Sequence, residues 1–264
     1  MGAYDNVKGV LNPATRGTVA TGAIERRMVL SIEGLDKCGK THLALTAPGP
    51  MGYLNFDRGL KGVIEKFQSQ KRITVFNYEP VSQLVGQGDD AYDRAYAQFQ
   101  ADYRYCLKTF RTTVVDTLSE GWGSLRLAEF GKLAQVMPHH YTKPNMIIKG
   151  LIDEIYEYPD KNLILVHSMK DEYINDKKTG KYEIDGFKKI YHVVQMAVRL
   201  RKIYIPADER TEDEPESVKL FMDIKACRQN LEIEGTTIEG PGPMFDFSNL
   251  AQLVFPNSTA ADWR

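Results

Sequence analysis

Eight consecutive residues, Gly34, Leu35, Asp36, Lys37, Cys38, Gly39, Lys40 and Thr41, set glycine, lysine and a hydroxyl at a spacing suited to holding phosphate. The pattern is Gly-x4-Gly-Lys-Thr. Glycines let successive backbone amides converge on phosphate oxygens with no side chain in the way; Lys40 reaches the outer phosphates, and the Thr41 hydroxyl suits magnesium. The start of the helix that follows adds the positive end of its dipole. Gly34 to Thr41, with His42 beside them, are thus the expected nucleotide contacts, and ATP and Mg2+ the expected cofactors.

Magnesium held this way wants a second, acidic partner at the end of a neighbouring strand. Asp116 ends the hydrophobic run "FRTTVVDT" and supplies it, so Thr41 and Asp116 form the expected metal pair. Hydrolysis further requires a carboxylate that polarises water. Asp57, which ends "MGYLNFD", is the favoured candidate, with Glu33 and Glu120 as competitors; Arg58 reads as a surface or interface charge. His167 leaves the apolar run "KNLILVHS" at a strand end, where a polar ring can hydrogen-bond a γ phosphate and report it to the loop beyond.

The elements that must position these groups are legible as alternating patterns. Short apolar runs at 28–34, 51–57, 72–78, 110–117 and 161–168 read as strands buried on both faces, as in a parallel sheet. The segments between them have the lengths of helical crossovers. Tyr92, Tyr96, Phe99, Tyr103 and Phe110 recur near helical spacing, which predicts a helix packed on the sheet. Two more helices are expected over 121–136 and 144–158, the second with Pro144 in its first turn. The runs 198–205 and 217–226 read as antiparallel strands extending the sheet, around the acidic segment 207–216. Residues 1–25, rich in glycine, read as an extended arm; 26–234 form the expected core, and 235–264 a tail with a short helix.

Composition narrows the class. The chain has 264 residues, is 42% hydrophobic and carries a formal net charge of -1, enough for a substantial core and without an overall basic field. No apolar run approaches the ~18 residues of a membrane span, so no membrane partner and a cytoplasmic location are expected. Cys38, Cys106 and Cys227 are odd in number and far apart, which suits a reducing compartment. His139 and His140 are adjacent with no further ligand nearby.

The order of the phosphate loop, "YLNFDRGL", "TTVVDT", "LILVHSMKDEY" and "LFMDIKACRQN" resembles the RecA-type recombinase ATPase core, specifically its minimal phage versions linked to single-strand annealing. The resemblance spans roughly residues 26 to 230. It implies an α/β, RecA-like P-loop NTPase fold, with a mostly parallel twisted sheet flanked by helices and antiparallel strands at the C-terminal end. It assigns the catalytic carboxylate to Asp57 and γ-phosphate sensing to His167, where the family usually has glutamine. It assigns to Lys225 and Arg228 the late-strand cations that reach a neighbouring subunit's nucleotide. The expected partners are single-stranded DNA, further copies of the chain in a filament or ring, and a single-strand-binding protein. Two DNA-binding segments follow the fourth and fifth core strands: first 132–149, with Lys132, His139, His140, Tyr141, Lys143 and Lys149, then the lysine-rich hairpin 170–189, with Lys177, Lys178 and Lys181 favoured. Cations with an aromatic ring among them are what single strands require. The arm takes the place of the segment with which relatives latch onto a neighbour. A nucleotide-gated module acting on a protein partner with weak or no hydrolysis is the alternative. A small-molecule kinase ranks last, because 207–216 is acidic where a phosphate-closing lid would be basic.

Overall fold

A computed structural model describes residues 27–84, 87, 90–131, 137–205 and 218–263. The arm 1–25, Lys132 and the acidic segment 207–216 lie outside the described residues.

Strands β1 (Val29–Gly34), β4 (Thr112–Asp116) and β5 (Asn162–His167) are buried at every residue. Their Val, Ile and Leu runs carry no polar alternation because neither face meets water. They occupy the middle of an eight-stranded sheet with β2 (Met51–Asn55), β3 (Ile73–Asn77), β8 (Met196–Tyr204), β9 (Val218–Cys227) and β10 (Thr237–Gly240), in the order β10-β9-β8-β1-β5-β4-β2-β3. All pairings from β8 to β3 are parallel; β8–β9 and β9–β10 are antiparallel. The fold is therefore mixed α/β, with a large, mostly parallel sheet and an antiparallel C-terminal end.

Helices cover both faces. Helix α1 (Lys40–Leu45) and helix α5 (Phe247–Val254) share one core with Leu30, Ile32, Val114 and Val198. Helices α2 (Ala91–Thr109), α3 (Leu118–Phe130) and α4 (Thr142–Asp153) cover the other face, where Phe99, Tyr103, Leu125 and Leu151 pack on Val29, Val115 and Leu165. On α2 the predicted Tyr96, Phe99 and Tyr103 are buried, joined by Cys106, while Tyr92 is half-buried and Phe110 lies just beyond the helix. The helix expected at 121 starts three residues earlier, because the Thr117 side chain accepts a hydrogen bond from Glu120 N and caps it there.

The segment from 235 onward carries the expected short helix, α5, and is also packed into the core. Strand β10 joins the sheet, and Phe247, Leu250 and Trp263 are buried against the α1 side of the core. Its mixed sequence gave no sign of this, because the partners of these side chains come from residues far earlier in the chain. Strands β6 (Met169–Ile174) and β7 (Lys177–Ile184) form a separate hairpin. Asn175 and Asp176, at φ 51° and 60°, make its two-residue turn.

Candidate functional site

The phosphate-loop pattern spans the end of β1 and the start of α1, and local packing explains its glycines. A Cβ on Gly34 would stand 2.5 Å from Cys38 Sγ and 2.7 Å from the Leu200 carbonyl oxygen, so the loop closes only on a bare backbone. Gly39 precedes the helix at φ 96°, a left-handed conformation that disfavours side chains. Cys38 Sγ donates to the Leu35 carbonyl at 2.9 Å, and burial pushes its thiol up, which leaves it an inert staple of the loop. Lys40 Nζ donates to the carbonyls of Gly34 and Leu35, both at 2.8 Å, keeping the ammonium inside the curl of the loop.

Helix α1 has only six residues, too short for much stability or dipole of its own. It is held from outside. Leu43, Ala44 and Leu45 are buried, and at its far end Lys71 Nζ donates to the carbonyls of Leu45 and Ala47 at 2.6 and 2.5 Å. Burial of that ammonium, partly offset by Asp246, brings Lys71 down to about 8. Thr46 Oγ1 in turn accepts from Phe247 N at 2.8 Å, so the C-terminal segment also braces the loop helix.

Asp116 lies at the carboxyl end of β4 and faces the loop. Thr41 Oγ1 donates to its Oδ2 at 2.8 Å, and the Tyr53 hydroxyl donates to the same oxygen at 2.5 Å. Among the described residues Oδ1 accepts no hydrogen bond. Burial pushes the Asp116 carboxyl up, while the two donors and Lys40 pull it back. Tyr53, fully buried and beside this carboxylate, is held well above the ordinary phenol range and so stays a donor. The donor set suits a hard divalent cation. Thr41 gives its proton to Asp116 and keeps its lone pairs, Oδ1 is open, and no group of three acidic, His or Cys residues exists among the described residues to form a cage of its own.

Asp57 stands two residues beyond β2, exposed at the same edge of the sheet, and its carboxylate accepts from Gly59 N at 3.1 Å. It is close enough to act electrostatically on both Asp116 and Tyr53. Its competitor Glu33 is fully buried and saturated: Arg199 Nε donates to it at 2.5 Å and the Tyr191 hydroxyl at 2.8 Å. Glu120 sits in the first turn of α3.

His167 departs from its expected role. Side chains alternate along a strand. Asp116 shares the parity of Val114, on the α1 face, whereas His167 shares that of Leu163 and Leu165, on the face of α2 to α4. The ring is 1% exposed, its Nε2 has no partner, and burial lowers it to about 3. It is a neutral core residue on the side of the sheet away from Thr41 and Asp116, and γ-phosphate sensing is not available to it.

Lys225 is the extra residue of a β-bulge in β9, opposite the Ala197–Val198 step, and it is exposed. Arg228 follows β9 at the amino end of the parallel sheet and donates to the His192 carbonyl at 2.7 Å. Arg228 therefore lies at the opposite edge of the sheet from its own phosphate loop.

The expected DNA segments flank one cleft of about 760 Å³ between α3, the turn at 138–141, the hairpin and residues 186–189. Trp122 stacks on Tyr141 (5.6 Å between centroids, 15° between planes) and donates from Nε1 to Asn145 Oδ1 at 2.9 Å. Several predicted cations are already paired: Lys143 with Glu129, Lys149 with Asp153, and Lys178 with Asp171 at 2.9 Å. The His139 and His140 rings meet tilted at 58°, 4.1 Å between centroids, and His140 Nδ1 accepts from Met137 N at 3.0 Å. Lys177 and Lys181 are exposed on β7, whose hairpin also exposes Tyr173, Ile174 and Tyr182. The cleft's own cations are Arg126, Lys170, Lys188 and Lys189. The three lysines lie within the second expected segment, 170–189, although the contacts favoured there are Lys177, Lys178 and Lys181; Arg126 lies outside both expected segments, on α3.

A second cleft, of about 590 Å³, adjoins the loop. Lys37, Gly39 and His42 form one wall, and Val218, Leu220, Pro241 and Phe245 another. His42 leans edge-on against Phe67 at 5.1 Å, and burial lowers its pKa. Of the expected nucleotide contacts, Leu35, Asp36 and Lys37 are exposed at the tip of the loop.

No protein-family model matches the chain, and no curated protein matches it.

Proposed function

We propose that this protein is a magnesium-dependent, RecA-like ATPase that binds single-stranded DNA, assembles with copies of itself into a filament or ring, and serves recombination or annealing. The observation that supports it most is the convergence of Thr41 and Tyr53 on Asp116 beside a closed glycine loop carrying Lys40. Accidental glycine turns have no reason to be met by a buried carboxylate from a strand two places away in the sheet.

In this reading Lys40 leaves the Gly34 and Leu35 carbonyls for the β and γ phosphates, and loop amides 35 to 41 hold their oxygens. Thr41 and Asp116 would hold magnesium, which when bound would neutralise charge developing on the transferred phosphoryl group. Asp57, exposed at the same edge, orients the attacking water. The apolar cleft beside Gly39 and His42 receives the base. Arg228, at the far edge of its own sheet, fits a cation acting on the site of an adjacent subunit, with Lys225 beside it. DNA engages the cleft around Trp122 and Tyr141, and a single-strand-binding protein is a natural partner.

The test is ATP turnover at low salt with and without single-stranded DNA, together with sizing in a non-hydrolysable ATP analogue. Expected are magnesium-dependent turnover, stimulation by DNA, and a rise in mass when analogue and DNA are both present. No stimulation and no assembly would reject the recombinase reading.

A further inference from the structure

We infer that Tyr53 is a positioning residue of the metal site: its hydroxyl fixes Asp116 in the orientation that receives magnesium. The inference rests on the proposed reading of the loop and adds a residue to it.

Tyr53 is in the middle of β2, fully buried, and its neighbours on that face of the sheet are Leu30, Val114, Ile164 and other apolar side chains. Phenylalanine would fill such a place as well, and a buried hydroxyl without a partner is unfavourable. What the hydroxyl has is Asp116. Tyr53 is paired in register with Val114, and Asp116 is two residues further along β4 on the same face, a diagonal that an aromatic side chain spans. The bond, at 2.5 Å, goes to Oδ2, the oxygen that also receives Thr41.

The consequence is an asymmetric carboxylate. Two donors on Oδ2 lock its rotation and leave Oδ1 as the open acceptor. Because Tyr53 and Thr41 approach the same oxygen from β2 and from the start of α1, the carboxylate is aligned before any cation arrives. Such outer partners orient ligands, and their loss typically costs about 10- to 100-fold in metal affinity.

The experiment is Tyr53→Phe, read by titrating magnesium into protein with a fluorescent ATP analogue, and the same analogue in EDTA. The magnesium midpoint is expected to rise about tenfold, with nucleotide affinity in EDTA within about twofold of the parent. In an Asp116→Asn background the same substitution should then change the midpoint no further, since Tyr53 acts through that carboxylate. A midpoint within twofold of the parent overturns the inference, as does an equal loss of affinity in EDTA, which would mark Tyr53 as a packing residue only. A second readout needs no variant. The Tyr53 hydroxyl proton, buried and bonded, should appear as a slowly exchanging downfield resonance that shifts when magnesium is added to the nucleotide complex. A resonance that ignores magnesium overturns the inference. If the parent itself binds nucleotide without regard to magnesium, the reading of the loop falls first, and that outcome is visible before any substitution is made.

Discussion

The phosphate loop and the cleft around Trp122 open at the same edge of one sheet, yet they are built in opposite ways. At the loop the polar side chains are fixed: Lys40 on two carbonyls, Thr41 and Tyr53 on one carboxylate oxygen, and the helix behind them clamped by Lys71. At the cleft, cations lie on exposed helices and a hairpin, and several are neutralised by nearby acids. Held dipoles stabilise charge with no reorganisation, whereas paired surface lysines must surrender a partner before they meet a phosphate. In the proposed function this contrast matches one small ligand in one pose at the loop and a long polymer held at many weak points at the cleft.

Three tests break or sharpen that contrast. The largest effect is expected from Asp116→Asn, which keeps the shape of the side chain and removes its charge. Magnesium-dependent ATP turnover should fall by roughly 10²- to 10³-fold, about 3–4 kcal/mol, while affinity for single-stranded DNA measured without nucleotide stays within about threefold. Equal loss of both would mean that the two regions are not separable.

Next comes His167, the residue whose expected place at the nucleotide is replaced by one in the core. Its folded pKa of about 3 lies below that of the unfolded chain, so the unfolded state takes the proton first and stability declines as pH falls from about 6.5 toward 3. Between pH 6.5 and 4.5 the parent should lose roughly 2–3 kcal/mol more than His167→Leu in urea denaturation. Nucleotide affinity should not change. A variant that folds equally well at all pH values but loses nucleotide would restore the sensor.

The smallest difference separates two pairs of cations at the cleft. Arg126 and Lys189 have no acidic partner among the described residues, whereas Lys143 and Lys149 do. Removing the first pair should weaken single-stranded DNA binding at low salt by about tenfold, and removing the second by about threefold. Fluorescence anisotropy with a labelled oligonucleotide measures both. The reverse order would show that the crossing strand lies along α4 and not in the cleft.

The central strands were legible because each is a compact apolar run bounded by polar residues. Helix α2 was legible because its aromatic ladder repeats at helical spacing. Asp57 and Asp116 were singled out by their place at strand ends, which is a local property. Tyr53 was not, since in a strand buried on both faces its ring is one apolar side chain among many. Lysines 143 and 149 looked available because their acidic partners were not weighed against them. Arg126 looked ordinary because it stands far in the chain from the lysines of 170–189, a separation the fold closes.

The sequence by itself determined the phosphate loop. Its residue types, two glycines, a lysine and a hydroxyl, stand together in eight neighbouring positions and are read without knowing their distant partners. Tertiary structure alone decided which carboxylate oxygen Thr41 would meet, that Tyr53 would meet it too, that His167 would face away, and that the last thirty residues would brace the loop helix. Each of these turns on which face of a strand a side chain takes and which segments the sheet brings side by side. A strand apolar on both faces does not encode that choice locally; the packing of helices on either side imposes it.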